Sequence, residues 1–225
     1  MSRRIGVLHT VPALVPVFHE LLTARRDDLE AVHTADPTLL ARAVASGITA
    51  DLDADLRVHL AALRDAGAEA ALVTCSSIGE AAVEAAEVVG IRLVRVDAAM
   101  AAAAVERARA GGGRILVLAT LPATLGPTGR LVEAEAQARA QAQAPAPAQA
   151  PIEVTAHVVE GAAAARAAGD LAAHDRLIAA AIAEAGDVDA IVLAQASMAS
   201  GAGADPRVLT SPESGAAAFV ASLGA

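Results

Sequence analysis

The chain has 225 residues, enough for one substantial core or two small ones sharing an interface. It is 55% hydrophobic but only 1% aromatic, a composition that suits close packing of helices on a sheet and argues against an aromatic-lined ligand pocket. The formal net charge of −9 argues against nucleic-acid binding, which needs a basic face.

The opening MSRRIGVLHTVPALVPVF sets basic residues before an apolar stretch, as a signal peptide would. Gly6, His9 and two prolines interrupt it, and no small-residue cleavage site follows. No apolar run is long enough to span a bilayer, so the expectation is a soluble, cytoplasmic protein without membrane contact. A single cysteine rules out an intramolecular disulfide, and no Cys/His spacing is of the zinc type, so no metal site is expected.

In chain order, short apolar runs predict strands near 4–8, 28–33, 69–73 and 92–96, then near 114–118, 152–157, 189–193 and 207–210. Alanine-rich segments between them predict helices, among them 49–66, with a polar face at Asp51, Asp55 and Arg57, and 170–185. AEAQARAQAQAPAPAQAP (134–151) is low-complexity and reads as a helix end running into a flexible Pro/Ala connection. The alternation indicates βαβ units and parallel sheets.

The chain also repeats itself. RIGVLHTVPAL, from Arg4, matches RILVLATLPAT, from Arg114, pairing Ile5 with Ile115, Leu8 with Leu118, Thr10 with Thr120 and Pro12 with Pro122. AEAALVTCSSIGEAA (68–82) matches VDAIVLAQASMASGA (188–202), which sets Gln195 where the first copy has Cys75. A weaker match sets IRLVRVDAAMAAAAV (91–105) over PRVLTSPESGAAAFV (206–220). The fold expectation is therefore α/β: two pseudo-symmetric, Rossmann-like open parallel-sheet lobes with a site in the cleft between them, at the carboxyl ends of the strands.

The polar residues at those ends are His9 and Thr10, Cys75 to Ser77, Thr120 with Thr124, and Gln195 to Ser197. Hydroxyls and free N–H groups at helix starts cradle a carboxylate well, although a Ser or Thr in such a place also serves as a plain helix cap. A cysteine at a helix start favours the thiolate, while a free cysteine elsewhere is a small buried hydrophobe. Gln195 has no proton equilibrium near neutral pH and cannot mirror Cys75 as an acid or base. His19, His59 and His174 read as solvated helix residues; His33 and His157 each end a second-strand run. Neither GxGxxG nor GxxxxGK[ST] occurs, and GGGRI (111–115) precedes a strand, which sets a nucleotide-binding reading aside.

With its halves aligned, the chain resembles the aspartate/glutamate/hydantoin racemase superfamily, a group that includes maleate isomerases and arylmalonate decarboxylases. The likeness covers nearly the whole chain. It rests on VTCSSIG (73–79), ATLPATLGPT (119–128), VLAQASM (192–198) and TSPESG (210–215). The resemblance implies a first lobe of 1–97 plus 208–225, a second of 98–207, and a cofactor-free site; it also allows a homodimer. Racemases of the group carry one cysteine in each half. Cys75 matches the first, and the second would fall at Gln195.

The resemblance assigns substrate binding to Ser76, Ser77, Thr120, Thr124 and the backbone at Ala196 and Ser197, with His9 at a substrate-facing strand end. It implies a cofactor-independent enzyme that transfers a proton at the α-carbon of a small carboxylate, with Cys75 the only thiol and Gln195 a hydrogen-bond donor or acceptor. The alternatives are a carboxylate-binding protein without turnover and a decarboxylase-like relative.

Overall fold

A computed structural model describes residues 2–142 and 151–224. The chain divides into two compact units, Met1–Asp97 with Pro212–Ala225, and Ala98–Ser211.

The first unit runs β1 (Arg3–His9), α1 (Val15–Thr23), β2 (Leu29–Ala35), α2 (Pro37–Ser46), α3 (Ala50–Asp65), β3 (Ala70–Val73), α4 (Gly79–Val89) and β4 (Arg92–Arg95). The second runs α5 (Ala98–Ala110), β5 (Arg114–Ala119), α6 (Pro122–Ala142), β6 (Glu153–Val158), α7 (Ala162–Ala167), α8 (Leu171–Ala183), β7 (Ala190–Leu193) and β8 (Val208–Leu209). The last helix, α9 (Ser211–Ser222), returns to the first unit from Pro212 onward. The boundary expected at 207/208 falls after Ser211 because Val208 and Leu209 pair with Ile191 and Val192 in the second sheet. Helix α6 runs to Ala142; the rest of the low-complexity stretch, 143–150, lies outside the described residues.

Each unit holds one four-stranded parallel sheet, ordered β2-β1-β3-β4 in the first and β6-β5-β7-β8 in the second. The repeat seen in the sequence is repeated bond for bond. Glu69 N donates to Arg4 O at 3.0 Å and Asp189 N to Arg114 O at 2.9 Å. Thr74 N donates to Leu8 O at 3.0 Å and Ala194 N to Leu118 O at 2.9 Å. Since Arg4 aligns with Arg114 and Leu8 with Leu118, equal spacing in the sequence has become equal register.

Local chemistry explains the elements. Thr49 caps α3 by accepting from Leu52 N, and Asp36 and Asp170 cap α2 and α8 by accepting from Thr38 N and Ala173 N. In α3, Leu52, Leu56, Leu60 and Leu63 recur at helical spacing and are all buried. At about 1.5–3 kcal/mol per buried leucine, that face dominates its docking. Helix α4 buries Ala81, Ala82, Ala85 and Ala86, and these small side chains let it lie close beside α3 in the same core. It ends at Gly90, whose left-handed backbone (φ 77°) suits a residue with no Cβ. The two phenylalanines, Phe18 in α1 and Phe219 in α9, are fully buried. No helix among the described residues is long and apolar enough to cross a membrane.

Candidate active site at the strand ends

Strand β3 ends at Val73, and Cys75 precedes a single 3-10 turn, Ser76–Ile78, that leads straight into α4. The backbone N–H groups of Ser77 and Ile78 and the Ser77 hydroxyl surround the sulfur and favour the thiolate, as does the Thr10 hydroxyl. Withdrawal from water works against them and is the larger effect, so burial pushes the Cys75 thiol above its ordinary pKa. The sequence-based expectation of a depressed thiol is therefore corrected: one short turn of donors does not outweigh burial of the sulfur. Cys75 keeps some accessible surface as a residue, while Ser76 and Ser77 are buried. The resting group is the neutral thiol.

Thr10 reaches the sulfur through strand register. Leu8 pairs with Val73 at the end of the β1–β3 ladder, and two residues further along the chain in each case come Thr10 and Cys75, the threonine side chain acting on the sulfur. Thr10 is 2% exposed, and its Oγ1 has no hydrogen-bond partner among the described residues. It lies close enough to favour a charge on sulfur but outside hydrogen-bond geometry in this structure.

For His9 two readings stand, the substrate-facing group that the resemblance implies and a satisfied histidine at a strand end, and its contacts in the first unit fit the second. His9 is fully buried, and both its ring nitrogens are engaged within the first unit. Its Nδ1 is 3.0 Å from Thr74 Oγ1, and its Nε2 is 3.0 Å from His33 Nδ1. His33 Nε2 lies 3.2 Å from Nδ1 of His19, an exposed residue of α1. An assignment that satisfies every group has Thr74 donate to Leu8 O while accepting from His9 Nδ1–H, and each Nε2 accept from the next ring's Nδ1–H. Burial first, and the neighbouring His33 second, push His9 down to about 4; burial and His19 lower His33 as well. The signal for this chain was present in the sequence as register: His33 sits opposite Val7, so it shares a sheet face with His9.

In the second unit the corresponding strand ends are closed by a side-chain clasp. Gln195 Oε1 accepts from Thr120 N at 2.6 Å, and Gln195 Nε2 donates to Thr120 Oγ1 at 2.8 Å. Thr124 is buried in the first turn of α6, its N–H donating to Leu121 O at 3.0 Å. Ala196 and Ser197 begin a 3-10 segment, Ala196–Gly201. That segment is supported by His174, which is fully buried, with Nδ1 2.9 Å from Ala162 O and Nε2 3.3 Å from Ser197 O. The expectation of a solvated His174 is thus overturned, because α8 turns this residue inward where two carbonyls meet it. His59 too is not free in solvent: it pairs with Asp36 at 2.9 Å.

Sequence reasoning also missed the support beneath the cysteine turn. The Arg95 side chain, 9% exposed, bonds in a two-pronged fashion to Asp97, 1% exposed, at 2.9 and 2.8 Å. It lies against Gly79, where an added Cβ would come within 2.7 Å of Arg95 Nε. The structure thus gathers Thr10, Cys75, Ser76 and Ser77 in one unit, and Thr120 with Gln195 in the other. No group of three or more His, Cys, Asp or Glu residues among the described residues could hold a metal ion.

No family model and no curated protein matches the sequence. Solved structures do match. A glutamate racemase from Bacillus anthracis superposes with a TM-score of 0.67 at 16% identity, covering 99% of this chain and 81% of that one. An aspartate racemase homologue from Pyrococcus horikoshii gives 0.65 at 15% identity, covering 99% of each chain. Unliganded arylmalonate decarboxylase gives 0.56 at 18% identity, covering 100% of this chain and 94% of the other. The chain has the fold these enzymes share.

Proposed function

We propose that this chain, with the fold of the aspartate/glutamate racemases and of arylmalonate decarboxylase, is a cofactor-independent enzyme of that superfamily, transferring a proton at the α-carbon of a small carboxylate through Cys75. The observation that carries the reading is the placement of the chain's only cysteine. It stands at the carboxyl end of β3, with the N–H groups of Ser77 and Ile78 directed at its sulfur.

The raised thiol sets the direction of the chemistry. A neutral S–H is ready to give up a proton, so Cys75 acts first as an acid toward an enolate-like α-carbon. Where the enolate arises by loss of CO2 from a substituted malonate, the S–H proton goes to carbon, the thiolate remains, and water reprotonates it. Where a thiolate forms first, the same sulfur removes the α-hydrogen and returns one, with exchange against solvent between the two events. Cys75 is the only thiol of the chain, so both events are assigned to one face of the substrate. The proposed carboxylate contacts are Ser76, Ser77, Thr120, Thr124 and the backbone at Ala196 and Ser197.

One observation favours a second reading, binding of a small carboxylate without turnover: Gln195 stands where a second thiol would and is committed to Thr120. Proton NMR in D2O with aspartate, glutamate, hydantoins and substituted malonates separates the two. Loss of an α-proton signal, or release of CO2, that vanishes in Cys75→Ala supports the enzyme. Ligand protection of Cys75 from alkylation without either signal supports the binding protein.

A further inference from the structure

The two units handle equivalent threonines in opposite ways. Thr120 has its N–H and its hydroxyl both satisfied by Gln195. Its counterpart Thr10 keeps an Oγ1 that has no partner among the described residues, in a residue 2% exposed. The residue beside it, where the second unit has Gln195, is Cys75. Leaving a buried hydroxyl unpaired costs about 1–3 kcal/mol, so such a group calls for an explanation.

A neutral thiol is a weak acceptor and offers Thr10 little. A thiolate is a strong one, and charge-assisted hydrogen bonds are roughly twice as strong as neutral ones. The hydroxyl is thus unsatisfied while Cys75 holds its proton and becomes satisfied once the proton has left.

We propose that Thr10 is the positioning residue of Cys75: its hydroxyl donates to the sulfur as the thiolate forms, and so favours the proton-donating step without touching the reacting carbon. This rests on the reading of Cys75 as the proton donor. The balance is simple. The S–H proton moves to the α-carbon, the electron pair stays on sulfur, and the Thr10 proton remains on its oxygen while pointing at the sulfur. Water reprotonates the thiolate after product leaves. In this role Thr10 acts through Cys75 and is not one of the substrate's own ligands.

Because Cys75 is the only cysteine, iodoacetamide alkylation of the full chain across a pH series reads its ionisation directly and without substrate. Thr10→Val keeps the side-chain shape and deletes the hydroxyl. It is expected to raise the alkylation midpoint by about one pH unit, the size of one charge-assisted hydrogen bond, and Thr10→Ser to restore it. Thr10→Val is also expected to melt no lower than the parent, since it removes an unpaired buried hydroxyl; Thr10→Ala reads the same midpoint should the valine variant not fold. An unchanged midpoint, or an equal displacement in Thr10→Ser, overturns the proposal. The outcome is separate from turnover: absence of deuterium exchange in the parent chain overturns the enzyme reading, while a hydroxyl-dependent midpoint still establishes the Thr10–thiolate pair.

Discussion

Gln195 and Thr120 are joined at two points, the amide oxygen accepting from the threonine N–H at 2.6 Å and the amide nitrogen donating to the threonine hydroxyl at 2.8 Å. The bonds tie the end of β7 to the end of β5, in a residue pair that the first unit builds from Cys75 and Thr10. Gln195→Ala leaves the Thr120 N–H buried without its acceptor. We expect a loss of roughly 1–3 kcal/mol in urea unfolding, and a smaller loss for Gln195→Glu, which keeps an acceptor. Equal stability for all three proteins would show that the clasp is idle.

The proposed role of Cys75 has a stereochemical test. On that reading, deuterium from D2O is expected to enter the α-position with the substrate's configuration retained, because the chain has one thiol. Chiral chromatography of the exchanged substrate reads this directly. Racemic product from the parent chain would mean that some other group serves as the second base.

The histidine chain gives a pH dependence with a definite sign. His9 is held neutral down to about 4 when folded, against an ordinary 6.5. Between those values the unfolded chain binds the proton and the folded one does not, so stability falls as pH drops from 6.5 toward 4 and levels below it. The difference corresponds to roughly 3 kcal/mol, and lowered His33 acts in the same direction. Urea midpoints measured from pH 7 to 4 should fall steeply in the parent and less so in His9→Gln. Parallel curves would remove His9 as the cause.

Close packing gives a contrast between two glycines. A Cβ at Gly215 would lie 2.3 Å from the Val96 carbonyl oxygen, a backbone atom that cannot swing aside, where α9 docks on the end of the first unit's sheet. Gly215→Ala is expected to cost roughly 3 kcal/mol or more. Gly129, inside α6, has nothing within 4 Å of such a Cβ, and Gly129→Ala should add about 0.5–1 kcal/mol through helix propensity. Thermal melts of the two variants moving in the same direction would contradict the packing described.

The linear pattern of residues by itself determined the parallel α/β architecture and its duplication, because strand period, helix period and a repeated RI-VL-T-PA string are properties of neighbouring residues. It also made Gln195 the counterpart of Cys75 in the repeat, since equal spacing from Arg4 and Arg114 becomes equal register within each sheet. The place of α9 was an implication of the family resemblance, and its start was not legible, because the pairing of Val208 and Leu209 with β7 is a contact between separated segments. The protonation of the site was decided only by the tertiary structure. Burial outweighs the donors around the Cys75 sulfur, turns His174 inward to two carbonyls, and links His19, His33 and His9 across three elements. A local pattern specifies which atoms can donate or accept; how much water they keep is set by residues far along the chain, and that balance fixes their charge.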